Sequence, residues 1–271
     1  ICDKMLPDAF TIAENYSDYF SLGQGYGNLL SYGCFNNYPA LGTLYVDALE
    51  YRNSPPLGPG PPDDQLIDSR IRPLDAALIT ESIHSAWYNA EAETYTPTQI
   101  IARPDRARPD AYSWIKAPRY QGLPYESGPL ARMWLSGDYR RGISDMDRTL
   151  ARVLEAKKIS DIMLILLDQI KPGVCNQQVY TLPQSSTGAG LIDTTRGALG
   201  HWLKIEDQVL SFYQIITPSA WNLSSRTADD MPGVAEQALI NTYVADSERP
   251  AELARIVRTF DPCVSCATHV Y

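Results

Sequence analysis

At 271 residues the chain is long enough for one large domain or two small ones, and a chain of this size buries about 70–75% of its unfolded surface. Its composition, 44% hydrophobic and 20% charged, is that of a globular protein, while a net charge of −9 argues against a nucleic acid held on a basic face. Five cysteines and three histidines are too few for a disulfide-stapled scaffold and limit any metal site built from this chain alone.

The first residues, Ile1 to Phe10, include Asp3, Lys4, Pro7 and Asp8 and lack the apolar core of a signal peptide; the missing initial methionine fits a processed or truncated start. Phe10, Ala13, Tyr16 and Phe20 recur at helical spacing, which predicts a helix over 8–22 that runs out at Gly23, Gly25 and Gly27. The stretch SPPLGPGPP (54–62) reads as a loop or surface arm, and RPDRARPD (103–110) as a second irregular region. Ser144 and Asp147 stand at capping-box spacing, with Asp in place of the usual Glu or Gln. They open a long central helix over about 146–171 that Pro172 and Gly173 stop. At about 25 residues and 1.5 Å per residue it is expected to run about 37 Å and traverse the whole domain. Its apolar stretch, Ile159 to Ile170, is broken by Asp161 and Asp168 and falls short of the ~20 residues a membrane span needs. A soluble chain with no transmembrane segment is expected. Further helices fit 202–213 and 250–260, and short strands fit 178–180 and 214–217. The expectation is one mainly α domain with minor β segments.

The segment richest in chemistry is DPCVSCATH (261–269). Cys263 and Cys266 stand three apart and His269 follows three later, so two sulfurs from one turn can grip a soft metal. A disulfide or an incidental pair is the plainer reading. A closed zinc site lacks a second ligand pair, since Cys2, Cys34, Cys175, His84 and His201 stand alone. A redox pair would want a helix after it. The segment therefore reads as half of a metal site. In DTTRGALGHW (193–202), Arg196 followed by Gly197 allows a tight turn with the guanidinium aimed into a cavity. His201, beside Trp202, is expected to be packed and hydrogen-bonded rather than catalytic. In TPSAWN (217–222), Ser219 can donate a hydrogen bond to an anionic ligand. The glycines at 23, 25 and 27 do not make GxGxxG, and Gly188 and Gly190 lack the Lys-Ser/Thr of a phosphate loop. No spacing supports a thiol hydrolase built from Cys175 with His84 or His201.

Six blocks, taken in order, resemble the C-terminal half of the large, catalytic subunit of nickel–iron hydrogenases: YFSLGQGYGNLLSYG (19–33), ITESIHSAWY (79–88), YSWIKAPRYQGLPYESGPLAR (112–132), RGALGHW (196–202), PSAWN (218–222) and DPCVSCATH (261–269). The resemblance implies the helical-bundle core of that subunit and cleavage of H2 to protons and electrons at a Ni–Fe centre whose iron carries CO and cyanide. By position, Cys263 matches a terminal nickel ligand and Cys266 a thiolate bridging nickel and iron. His269 matches a ligand of a nearby magnesium ion, and Ile215 the residue offering that ion its backbone carbonyl. Arg196 matches an arginine above the open metal position, and Asp261 a carboxylate that helps to hold it. Ser219 matches a cyanide hydrogen-bond donor, and Leu199 an apolar residue beside the diatomic ligands. The resemblance leaves open whether the Cys263 thiolate or the Arg196 guanidinium takes the proton. It also implies an iron–sulfur small subunit and a second chain or segment bearing the family's other CxxC, which has no counterpart here.

Thr195 and Asp193 depart from the family's usual proline and glutamate, and Val270 and Tyr271 follow the histidine after which precursors are normally cut. Uptake in the cytoplasm, or at a membrane through partner subunits, is the expectation. A non-catalytic structural or assembly subunit derived from the same fold is the alternative, and the retained cysteines argue against it.

Overall fold

The structure is a computed structural model. It describes residues 1–33, 74–173 and 179–263, with the backbone of 47–49 and 71–73. The predicted loop at 54–62 lies outside these residues, as do Cys34, Cys175, Cys266, His269, Val270 and Tyr271.

Four-stranded and three-stranded sheets occupy much of the molecule, which overturns the expectation of a mainly α bundle. Helix α1 (Cys2–Asn15) starts earlier than its apolar spacing suggested and carries Pro7 inside it, and a 3-10 turn (Ser17–Phe20) follows. Strand β1 (Leu29–Ser31) is wholly buried and central to a sheet with β2 (Asp47–Leu49), β3 (Ile71–Pro73) and, parallel to it, β9 (Glu126–Ser127). Strand β4 (Ile79–Ser82) lies between β6 (Thr94–Tyr95) and β8 (Ala117–Tyr120). Within the region expected to be irregular, Arg103–Pro104 (β7) pairs with Tyr88–Asn89 (β5).

The largest departure lies in an antiparallel meander of β10 (Ser185–Thr194), β11 (Gly197–Glu206) and β12 (Val209–Ile216). The predicted helix over 202–213 is therefore two strands and a turn. Asp207 and Gln208 both adopt positive φ (52° and 61°), the geometry of the two-residue turn that matches strand twist. Along β11, Ala198, Gly200 and Trp202 are buried while Leu199, His201 and Leu203 are half-buried, a period of two. The apolar residues of 202–213 fit either period, and the turn lacks the Asn-Gly or Asp-Gly that announces a hairpin. The strand expected at 214–217 falls in β12, whereas Val179 and Tyr180 form none.

Helix α2 (Pro129–Leu135) has all seven residues buried and begins with Pro129 at its first turn. Helix α3 (Asp145–Gln169) carries the predicted capping box: the Ser144 hydroxyl accepts from the Asp147 amide, and the Asp147 carboxylate accepts from the Ser144 amide at 2.8 Å. Every fully buried residue of α3 lies between Asp145 and Glu155. Its far half stands out from the core, contrary to the expectation that it traverses the molecule. Short helices α4 (Pro218–Asn222) and α5 (Val234–Leu239) precede α6 (Ala251–Thr259), which lies within the predicted 250–260.

The main core gathers Leu30, Ile79, Tyr120, Leu191, Trp202 and Trp221 from the sheets and α4. A second core joins α1, α2 and α3 through Ala13, Leu130, Met133 and Leu150. Arg148 stitches the two regions: its fork reaches both oxygens of Glu126 (2.8 and 2.9 Å) and the Gly23 carbonyl (2.7 Å). The glycine run thus receives an arginine of the chain itself. No helix among the described residues is long and apolar enough to cross a membrane.

Candidate metal centre

Helix α6 ends at Phe260, and Asp261 takes a positive φ of 51° as the left-handed residue that closes a helix. Pro262 forbids continuation, so the chain leaves toward α4. There the Cys263 amide donates to the Ser219 hydroxyl at 3.1 Å. Ser219 is buried in the first turn of α4, whose own N-cap is the Thr217 hydroxyl. Cys263, Ser219, Thr217 and Ile215 share a cavity of about 240 Å³ with Glu81 and Lys116.

Glu81 and Lys116 are the residues that sequence reasoning missed. They lie on paired strands β4 and β8 or just beyond, and the Lys116 ammonium sits 2.9 Å from the Glu81 carboxylate. The Gln214 amide also donates to Glu81. Burial pushes the Glu81 carboxyl above the ordinary carboxylate range, against the pull of Lys116 and Gln214. A charged residue within a buried strand was the available signal, but neither residue carries a spacing motif.

Arg196 sits at the tip of the β10–β11 hairpin, in a two-residue turn with Thr195 between the paired Thr194 and Gly197. Its Nε donates to the Asp261 carbonyl at 3.1 Å and lies 3.5 Å from the Asp261 carboxylate. The main-chain oxygen is thus the nearer partner, although the expectation was of the carboxylate. The turn itself is seated on buried groups. Asp193 accepts from the Ser31 hydroxyl (2.7 Å), the Tyr32 amide (2.9 Å) and the Arg132 fork (3.2 Å). Burial raises the Asp193 carboxyl, and those three donors oppose it.

Gly197 makes this seat possible. Its φ is +133°, and a Cβ there would press into the Ser127 hydroxyl oxygen and stand 2.7 Å from the Gly128 nitrogen. Asn222, at the end of α4, clasps the same segment: it accepts from the Ser127 amide and donates to the Ser127 carbonyl, each at 2.9 Å.

The structure thus brings Cys263, Ser219 and Ile215 onto one cavity and joins Arg196 to Asp261 nearby. Leu199 on β11, paired with Ile192 of β10, is not among the cavity's lining residues, nor are Arg196 and Asp261. His201 Nδ1 contacts the Tyr213 hydroxyl at 2.6 Å across β11 and β12 and is not among the cavity's lining residues, while His84 pairs with Glu93. Among the described residues no group of three or more His, Cys, Asp or Glu side chains converges as a metal site. Cys266 and His269 lie outside those residues.

The site is a cavity with a cysteine on its wall and an arginine braced on the residue two before that cysteine. The chain belongs to the nickel-dependent hydrogenase family, whose model matches residues 1–142 and 138–269. It is 30% identical over its whole length to the periplasmic [NiFeSe] hydrogenase large subunit of Desulfomicrobium baculatum, and 31% identical to the hydrogenase-1 large chain of Citrobacter freundii. It covers 54% and 52% of those proteins. The structure of H2-activated Desulfomicrobium baculatum [NiFeSe]-hydrogenase superposes with a TM-score of 0.83 at 29% identity, over 98% of this chain and 56% of that one. A Desulfovibrio vulgaris Hildenborough Ni-Fe-Se hydrogenase gives 0.84 at 28% identity, over 98% and 57%. The chain therefore spans about half the length of the relatives it matches.

Proposed function

We propose that this chain forms part of the catalytic subunit of a nickel–iron hydrogenase that oxidises H2. The observation that carries this reading is the delivery of Cys263 to the cavity wall, with its backbone fixed by Ser219, in a chain of the nickel-dependent family. The donor chemistry fits the implied metals, since soft thiolates suit nickel and low-spin iron and a coordinating thiol is deprotonated outright. Cys263 and Cys266 would hold the Ni–Fe centre, and the Ile215 carbonyl and His269 a magnesium ion. Ser219, on the same cavity, would donate to a cyanide on iron.

When bound, the centre supplies the electron acceptor for heterolytic splitting of H2. The chain's own residues do the rest. Cys263 Sγ, on the cavity wall as a thiolate ligand, would take the proton. Arg196, beside the Asp261 carboxylate, acts through its charge on the developing polarity of the bond. An iron–sulfur small subunit removes electrons, and a second chain or segment completes the thiolate set.

The test is Cys263→Ala in the assembled complex, read by nickel content and by H2-dependent dye reduction. Loss of both is expected. Activity and nickel at wild-type level would favour the alternative, a structural or assembly subunit on the same fold.

A further inference from the structure

The turn that presents Arg196 is shaped by a residue with no contact to the cavity. Arg132 on α2 is buried, and all five N–H groups of its guanidinium find acceptors. Nε and Nη2 reach the two oxygens of Glu155 at 2.6 and 2.8 Å. Nη1 reaches Asp193 at 3.2 Å and the Thr194 carbonyl at 2.9 Å, and Nη2 also reaches the Thr195 carbonyl at 3.1 Å. Those carbonyls belong to the two peptide units immediately before Arg196, so a rigid planar fork fixes the plane from which its side chain departs. The base of the fork rests on α3 through Glu155, and the start of the same helix α2 presses Gly128 against the Arg196 carbonyl. The Arg196 guanidinium itself is 43% exposed and bonded to Asp261, a partner 36% exposed. The firm part of the arrangement is behind the turn, not in front of it.

We propose that Arg132, seated on Glu155, is the positioning residue for Arg196. It holds the Thr194 and Thr195 carbonyls and so sets the direction in which the Arg196 guanidinium meets Asp261. This rests on the reading of Arg196 as a residue that acts on the substrate. Lysine cannot reproduce it, because an ammonium offers three donors on a flexible stem rather than five in a plane.

The experiment compares R132K, E155Q, R196K and the double variant R132K/R196K in the assembled hydrogenase. Nickel content, kcat and KM for H2 are measured, with amide deuterium exchange of the peptide over 193–202. With nickel retained, R132K lowers kcat about ten- to hundredfold, with KM within about twofold. It also speeds exchange at 193–198 while leaving 146–155 unchanged. E155Q moves the same readouts in the same direction by less. Adding R132K to R196K costs no further kcat, because the residue through which Arg132 acts is already gone.

Unchanged exchange at the turn, or losses that multiply in the double variant, overturns the proposal. Wild-type kcat in R196K overturns the reading of Arg196 instead, and the exchange result then stands alone on whether Arg132 holds the turn. Should R132K lose nickel through misfolding, E155Q decides between the same outcomes.

Discussion

Gly197 and Arg132 set the tolerance of the Arg196 turn. Gly197 meets Ser127 and Gly128 with no room for a Cβ and lies in the left-handed region. Gly197→Ala is therefore expected to cost about 1–3 kcal/mol from overpacking, plus backbone strain. Gly188→Ala, where a new Cβ would meet nothing within 4 Å, is expected to stay within about 0.5 kcal/mol. Thermal unfolding of the two variants side by side checks the contrast. Arg132→Met leaves Glu155 and Asp193 buried without their cation, and breaking a buried pair of this kind costs about 3–5 kcal/mol. A drop in melting temperature well beyond that of R132K is the expected result. Ser219→Ala removes the acceptor of the Cys263 amide, a loss of about 1 kcal/mol, and is expected to weaken nickel retention before it weakens the fold.

Among the elements, α3 shows how local chemistry is read more safely than period. Its capping box is legible because Ser144 and Asp147 act three residues apart. Tyr139 adds what the sequence could not show: its hydroxyl donates to Asp147 at 2.6 Å, within the cap. Burial, and then the Asp147 charge, push the Tyr139 phenol far above its ordinary value. The folded state therefore holds that proton more tightly than the unfolded chain. The contribution is fully present below about pH 10, where a free tyrosine titrates, and is lost as pH rises through the folded value. Tyr139→Phe is expected to cost about 1.5–3 kcal/mol at neutral pH and to flatten the fall of melting temperature above pH 10, as a pH series of unfolding curves would record. The meander resists a sequence reading for the opposite reason. Trp202, Ile205 and Phe212 suit a helix as well as a strand, and only the pairing of β10 with β11 and β12 decides between them. A non-local partner outweighs a weak local preference.

At the scale of the whole molecule, the cavity joins residues far apart in sequence: Glu81 on β4, Lys116 beside β8, Ser219 on α4 and Cys263 after α6. Cys263 and the Arg-Gly turn could be singled out because each sits in a short motif, while Cys266 lies outside the described residues. The Glu81–Lys116 pair could not, because its meaning comes from sheet pairing over 35 residues. The outer half of α3 leaves Met163, Leu164 and Leu167 more than half exposed, at 57%, 61% and 59%. Val209 and Leu210 on β12 are likewise exposed. Apolar area of this extent is what a packed partner surface covers. The chain purified by itself is therefore expected to self-associate, and the double variant Met163→Lys with Leu167→Lys to do so less, as light scattering after size exclusion would measure.

The tie between the Cys263 amide and Ser219 has a consequence for how a metal would be captured. One end of the last segment is already fastened to the core, so the configurational freedom to be lost there on binding is small. Cys266 is three residues further along the same chain, and a short tether keeps its thiol at an effective concentration of about millimolar or more around Cys263. An ion held first by Cys263 would then meet the second sulfur as a neighbour within reach rather than as a free ligand in search of it.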